Sequence, residues 1–175
     1  GKSWRQTIFV QFDPTRNFTY ETEITLEKAS DNSMAGFTIG YGDAKHGLFV
    51  LIDKDLQLMI ALLNGAELNM ILNPEFCTAL KPLGSKNKFE ISGTTAHLTF
   101  SVNDIKVAES KNLKFFDSRI GFCVEGNTKI SAKYIKIFQE KAPIHLVSNW
   151  DQYGTKEPLG PAINSIYGEK HPIIS

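Results

Sequence analysis

Residues 88–110 read KFEISGTTAHLTFSVNDIKVAES, and residues 119–139 read RIGFCVEGNTKISAKYIKIFQ. In both stretches apolar residues alternate with polar ones, which is typical of β-strands that bury one face and expose the other. Asn103 and Asp104 separate two of these strands and predict a two-residue hairpin turn. The pattern predicts an antiparallel β-sandwich, and it identifies no chemistry.

Strand patterns with short connections also run from residue 4 to residue 72. Residues 18–26 alternate strictly, whereas residues 48–52 are apolar on both faces, which predicts a central strand. Asn64-Gly65 predicts a type I′ hairpin, because both central positions of that turn need positive φ. Residues 73–87 contain two prolines and predict a long connection between sheets. Since no segment has an amphipathic helix pattern, the prediction is an all-β fold of about a dozen strands.

The composition is that of an ordinary globular domain. The chain has 175 residues, of which 42% are hydrophobic and 22% charged, and a sandwich of this length is commonly one domain. Nineteen basic and nineteen acidic residues give no net charge, which disfavours a nucleic-acid binder. No apolar run is long enough to span a bilayer. Cys77 and Cys123 form no C-x-x-C pair, so we expect no zinc site. A disulfide would suit an exported protein, but the spacing favours two separate thiols.

Several segments together resemble one superfamily. They are FTYETEITL at 18–26, GFTIGYGD at 36–43, LFVLID at 48–53, LTFSVNDIKV at 98–107, RIGF at 119–122 and YIKIF at 134–138. Over residues 4–139 the chain resembles the concanavalin A-like and laminin G-like β-sandwiches. The resemblance implies an antiparallel two-sheet jelly roll occupying residues 1–140. Because that superfamily includes lectins, glycan-binding modules, adhesive domains and glycoside hydrolases, the resemblance implies a fold and no single activity.

The last 35 residues have a different character. Residues 159–165 read LGPAINS and residues 169–175 read EKHPIIS, which resembles the start of a WD-like β-propeller repeat of bacterial envelope proteins. This resemblance implies that 141–175 form an irregular linker and the truncated start of a propeller, in a domain excised from a longer protein. It also implies a periplasmic or outer-membrane location, with the propeller of the same chain as a partner.

The acidic residues and histidines form no catalytic or metal-binding pattern. Glu21 and Glu23 share one strand face, but they lie opposite an apolar face, so we expect them to be solvated. Asp53 and Asp55 suit calcium by residue type, yet they flank Lys54 and are explained by turn chemistry. The four histidines have no metal-ligand spacing. The sequence therefore predicts no catalytic residue, metal or cofactor, with calcium left unsupported.

Aromatic side chains are the better candidates for ligand binding. Sugars stack their C–H faces on aromatic rings, and their hydroxyl groups bond to carboxylate, amide and guanidinium groups. The loop at 41–46 groups Tyr41, Asp43 and His46, and Trp150 is a further candidate. Trp4 can also be explained as a core residue. Trp150 and Tyr153 can also be explained as anchors of the C-terminal segment.

The sequence therefore predicts a non-catalytic recognition or accessory module of a multidomain bacterial envelope protein. Its partner would be a glycan, a cell-wall polymer or a protein. The alternative is a glycoside hydrolase or related sugar-processing enzyme on the same fold. Two carboxylates converging in a groove, about 5–9 Å apart, would favour the enzyme. An exposed apolar patch or a free sheet edge would favour protein scaffolding.

Overall fold

A computed structural model describes residues 3–10, 13–43, 45–115 and 118–139. These residues contain eleven β-strands and no helix, which confirms the all-β prediction. The strands are β1 Ser3–Phe9, β2 Phe18–Lys28, β3 Ala35–Asp43, β4 His46–Ile52, β5 Gln57–Asn64, β6 Glu67–Phe76, β7 Lys86–Thr94, β8 His97–Val102, β9 Ile105–Lys111, β10 Arg119–Glu125 and β11 Lys129–Gln139.

The strands form two antiparallel sheets. Sheet A has six strands in the order β1-β10-β3-β4-β5-β6, and sheet B has five in the order β11-β2-β7-β8-β9. Late strands pair with early ones, because β10 lies between β1 and β3 while β11 pairs with β2. This is the two-sheet jelly-roll sandwich that the sequence predicts. The predicted central strand is also confirmed, since β4 lies between β3 and β5.

The core fills the space between the sheets. Tyr20 of β2 stacks on Phe37 of β3 with ring centroids 5.0 Å apart, and Phe89 meets Phe37 edge-on at 5.6 Å. All three side chains are buried, and each such burial contributes about 2–3 kcal/mol. A cavity of about 10 Å³ beside Phe37 and Phe89 has room for about one water molecule. That cavity is too small for a sugar.

Two hairpins test the turn predictions. Val102 pairs with Ile105, which confirms the two-residue turn, and φ values of 49° at Asn103 and 67° at Asp104 give it the type I′ pattern. The Asn64-Gly65 prediction is wrong by one residue, because Asn64 still pairs with Glu67. The turn is therefore Gly65-Ala66, with φ of 67° at Gly65 and an ordinary negative φ at Ala66. Positive φ at the first central position alone is the pattern of a type II′ turn.

The predicted connection at 73–87 is shorter in the structure. β6 continues through Pro74 to Phe76, so the connection covers only residues 77–85. β6 is an edge strand, where a proline costs no ladder hydrogen bond on its open side. Cys77 in this connection and Cys123 on β10 are both buried and are not joined by a disulfide, which confirms two separate thiols.

Some predictions fall on residues that the structure does not describe. The extension at 141–175, with its propeller-like segments and with Trp150 and Tyr153, lies outside the described residues. The backbone of Trp4 belongs to β1, but its side chain is not described. None of the described residues belongs to a helix with the length and hydrophobicity that a membrane crossing needs.

Candidate functional site

A β-bulge in β3 decides where Tyr41 points. Phe37 and Ile39 face the core, so regular alternation would direct residue 41 inward as well. The pairing with β10 shifts between Ile39 and Tyr41, which makes Gly40 an extra residue with φ of 65°. A bulge changes the face to which the following side chains point. Tyr41 consequently packs with the apolar residues on the outer face of sheet A.

On this outer face, the Tyr41 ring packs against two residues of β4. Its ring meets Phe49 edge-on, with centroids 6.4 Å apart and planes at 85°. A Cβ on Gly47 would lie 2.9 Å from Tyr41 Cδ2 and 3.1 Å from Thr38 Oγ1, so only glycine leaves the ring this space. The Tyr41 side chain remains partly exposed. It therefore offers an aromatic surface that the fold holds in place.

Asp43 and His46 form a polar pair at the base of the β3–β4 hairpin. Asp43 Oδ1 accepts the backbone N–H of Lys45 at 2.7 Å and lies 2.8 Å from His46 Nδ1. The Lys45 N–H, and after it the His46 imidazole, lower the pKa of the Asp43 carboxyl. The group is ionised at neutral pH, and the two side chains are 62% and 30% exposed. The structure thus brings two of the predicted residues together, and their binding role stays a prediction.

Arg119 also contacts this hairpin, although it lies 77 positions from Gly42 in the sequence. It pairs with Tyr41 across the β10–β3 ladder, and its Nη1 donates to the carbonyl oxygen of Gly42 at 3.2 Å. The side chain is exposed. In the sequence, the RIGF segment is recognisable only as a fold signal, and Arg119 is not among the predicted site residues. No local pattern identifies it, because its place depends on β10 lying beside β3.

A row of apolar residues extends from Tyr41 across the outer face of sheet A. Gly47 of β4 pairs with Leu63 of β5, which pairs with Leu68 of β6. Leu68 is 53% exposed. We call Tyr41, Gly47, Leu63 and Leu68 the apolar lane. It crosses four strands, and three spacings of about 4.8 Å make it about 14 Å long, roughly the length of two to three sugar rings.

Polar residues follow the apolar lane on its rim side. His46 pairs with Asn64, and Asn64 pairs with Glu67, one position beyond Gly47, Leu63 and Leu68. Because consecutive strand residues point to opposite faces, these three side chains leave the end of the sheet on the face opposite the apolar lane. Asn64 and Glu67 are exposed. We call Asp43, His46, Asn64 and Glu67 the polar rim. The sequence pattern marks Asn64 only as a turn residue and does not mark Glu67, because their placement beside His46 follows from strand pairing.

The predicted solvated carboxylates lie on the outer face of sheet B, as expected, but lysines surround them. Glu21 lies 3.4 Å from Lys88 Nζ and 3.7 Å from Lys136 Nζ. Partial burial raises the pKa of Glu21, but the Tyr134 hydroxyl and Lys88 together outweigh it and lower the pKa below its usual value. A general acid in glycoside hydrolysis needs a raised pKa. The Glu21 carboxyl is therefore unsuited to that role.

The acidic turn between β4 and β5 uses its carboxylate for backbone hydrogen bonds. Asp53 Oδ1 accepts the N–H groups of Asp55 at 2.8 Å and Gln57 at 2.9 Å. Lys54 Nζ lies 3.2 Å from Asp31 and 3.5 Å from Asp55. Within the described ranges, no group of three or more His, Cys, Asp or Glu side chains is arranged to hold a metal ion. Turn chemistry accounts for these aspartates.

Comparison with known proteins identifies a shared fold. The chain is similar to the carbohydrate-binding module CBM66 from Bacillus subtilis, with a TM-score of 0.55, 14% identity, and coverage of 70% of this chain and 74% of that one. Sheep galectin-11, solved with glycerol, gives a TM-score of 0.56 at 8% identity over 79% of this chain and 98% of that one. A tetrameric galectin from the ball sponge Cinachyrella gives 0.55 at 14% identity over 78% and 99%.

No family model and no curated protein sequence matches the chain. Sequence identities of 8% to 14% show a shared fold and do not identify a ligand for this chain. The described residues therefore have the two-sheet jelly-roll fold found in galectins and in the CBM66 module.

Proposed function

We propose that this sandwich is a non-catalytic glycan-binding module that binds its ligand along the apolar lane and the polar rim. The observation that carries the proposal is the joining of Tyr41 to the Asp43–His46 pair in one hairpin. Sugars present C–H faces and hydroxyl groups on the same ring, so a binding surface needs both kinds of group side by side. The names of the similar structures, a carbohydrate-binding module and galectins, agree with this ligand class.

The geometry favours a shallow surface site. The aromatic ring and the apolar lane would support the C–H faces of two or three sugar units, and polar-rim groups that reach over the end of the sheet would bond to their hydroxyl groups. Among the described residues, Lys45 and His46 both contact Oδ1 of Asp43, which leaves Oδ2 as a candidate acceptor for a sugar hydroxyl. A carboxylate oxygen that accepts hydroxyl protons is a common sugar contact.

The setting in the cell is a further part of the proposal. The segments at 159–165 and 169–175 support a multidomain bacterial envelope protein, periplasmic or bound to the outer membrane, with a β-propeller after the sandwich. In that setting the ligand would be a cell-wall or surface glycan. Detection of the parent protein in the periplasmic or outer-membrane fraction would support this assignment, and its recovery in the cytoplasm would contradict it.

Calorimetry against a panel of oligosaccharides tests the proposed function. The panel contains cello-, xylo- and galacto-oligosaccharides, oligomers of N-acetylglucosamine and soluble peptidoglycan fragments. We expect saturable binding of at least one member, and Tyr41→Ala should weaken it by about tenfold or more, as loss of a central aromatic contact does. His97→Ala is the control, since it also removes a ring exposed on a strand face, but one that lies on sheet B, 3.6 Å from Glu109.

Two results would contradict the proposal. If no panel member binds, or if Tyr41→Ala and His97→Ala weaken binding equally, the apolar lane is not the site. If reducing sugar accumulates in the binding mixtures, the module is an enzyme and the alternative reading is correct. Unfolding temperatures of both variants establish that each remains folded.

A further inference from the structure

Gly40 lacks a side chain, and another residue fills the place where one would lie. A Cβ on Gly40 would be 2.5 Å from Phe115 Cγ and 2.8 Å from Phe115 Cδ1. Phe115 is partly buried, packs against the core and lies 6.1 Å from the ring of Phe18 on sheet B. Gly40 therefore lengthens β3 without adding a side chain. The Phe115 ring packs over this glycine at the end of the core.

The residues on both sides of Tyr41 are therefore anchored by the same part of the chain. Gly40, before it, is covered by Phe115, and Gly42, after it, accepts the hydrogen bond from Arg119 Nη1 at 3.2 Å. Both anchoring residues belong to the segment that leads from β9 into β10. None of the sequence patterns that predict the sandwich gives this segment a role in the site.

We infer that Phe115 and Arg119 are positioning residues of the proposed glycan site, which together hold Tyr41 on the outer face of sheet A. The affinity part of this inference rests on the proposed function, but the part that concerns the orientation of Tyr41 does not. The physical reason is that the bulge competes with regular alternation, in which residue 41 points inward. Phe115 occupies the space beside Gly40 that a core-facing side chain at this point of β3 would enter.

Removing Phe115 opens that space. In Phe115→Ala, the vacated volume at the end of the core favours an inward tyrosine, because filling a cavity with an aromatic ring recovers lost packing. Tyr41 would then leave Phe49 and Gly47, and the apolar lane would lose its first member. Arg119→Gln removes the hydrogen bond to Gly42 and loosens the same hairpin without opening the core.

Nuclear magnetic resonance of the full chain tests the orientation directly. In the parent protein we expect nuclear Overhauser effects between the Tyr41 and Phe49 rings, and between the Tyr41 ring and the Gly47 amide. Phe115→Ala should abolish them. Leu113→Ala is the matched control, since Leu113 is also partly buried against the core and lies two positions earlier, but the three atoms nearest to a Cβ on Gly40 all belong to Phe115. Persistence of the contacts in Phe115→Ala, or their loss in Leu113→Ala, would overturn the inference.

Affinity gives the second readout, with the oligosaccharide panel described above. Phe115→Ala should weaken binding about tenfold and Arg119→Gln several-fold, whereas Leu113→Ala should leave it unchanged. If Phe115→Ala fails to fold, Arg119→Gln decides, since its side chain is exposed, and unchanged contacts and affinity in that variant would overturn the inference. If no sugar binds the parent protein, the proposed function fails while the contacts still decide the positioning role.

Discussion

The outer faces of the two sheets are built from different kinds of side chain. On sheet A, Phe49, Leu51 and Cys123 are 6%, 8% and 7% exposed, with methionines and Tyr41 packed around them. On sheet B, the outer face of β2 carries Glu21 and Glu23. Each glutamate lies within 4.0 Å of lysines from β7 and β11, and we call this set the charge ladder: Glu21, Glu23, Lys86, Lys88, Lys133 and Lys136.

This difference distinguishes the side chains that the fold requires from those that the proposed function uses. Both inner faces are apolar because they form the core, and an outer face only has to be compatible with water. The charge ladder meets that requirement. The outer face of sheet A is apolar where that of sheet B is charged, and it carries the apolar lane and the aromatic residue of the proposed site. We therefore expect the two faces to respond differently to mutation, acid and salt.

Deleting one aromatic side chain from the outer face of sheet A should have the largest effect. Phe49→Ala should lower the free energy of unfolding by about 3 kcal/mol, because it removes a buried ring and leaves a cavity. Thr99→Ala, on the outer face of β8 in sheet B, should change it by about 0.5 kcal/mol or less. Urea denaturation measures both values. Equal losses would show that the outer faces of the two sheets contribute equally to the free energy of unfolding, contrary to this prediction.

Acid should act on sheet B with an intermediate effect. The pKa of Glu21 is lowered in the folded protein, so its stabilising contribution is present above the ordinary value of 4.5 and is lost as pH falls through the folded pKa. We expect Glu21→Gln to cost about 1 kcal/mol near neutral pH and less in acid.

The measurement is urea denaturation of the parent and the variant across the acid range. Phe49→Ala serves as the reference, because its cost should not follow the titration of Glu21. A difference between parent and Glu21→Gln that stays constant down to strongly acidic pH would contradict the role of the carboxylate.

Salt should reveal the smallest difference. Lys86 lies 4.0 Å from Glu23 and is 67% exposed, so the pair should contribute only a few tenths of a kcal/mol. At about 1 M sodium chloride the Debye length is about 3 Å, and this contribution should vanish. A double-mutant cycle of Lys86→Ser and Glu23→Gln at low and high salt measures it. A coupling that survives high salt would mean that the pair is more shielded than its exposure indicates.

Local patterns were enough to predict most strands. The alternation in 18–26 fixes which face of β2 is buried, and the Asn103-Asp104 pair fixes its hairpin, because both depend only on neighbouring residues. The Asn64-Gly65 prediction failed because a glycine with positive φ suits two turn types that differ by one residue in register. Only the pairing of Asn64 with Glu67 decides between them.

The candidate site could be predicted only in part. Tyr41, Asp43 and His46 are close in sequence, so their grouping was visible. Arg119, Leu63 and Leu68 join them through strand order and register, which are non-local. A glycine inside a strand pattern is a known sign of a bulge, and Gly40 offered that sign. Its consequence for Tyr41 depends on Phe115, which no local pattern relates to β3.

The bulge also bears on how such surfaces change during evolution. β3 has one residue more than its ladder with β10 requires. Deleting that residue would restore strict alternation and move the tyrosine from the surface to the interior, with no change of side chain or strand order. The loss or gain of a single codon would therefore remove or create a surface aromatic residue. Sandwiches that share little sequence could in this way gain or lose recognition surfaces on an unchanged framework.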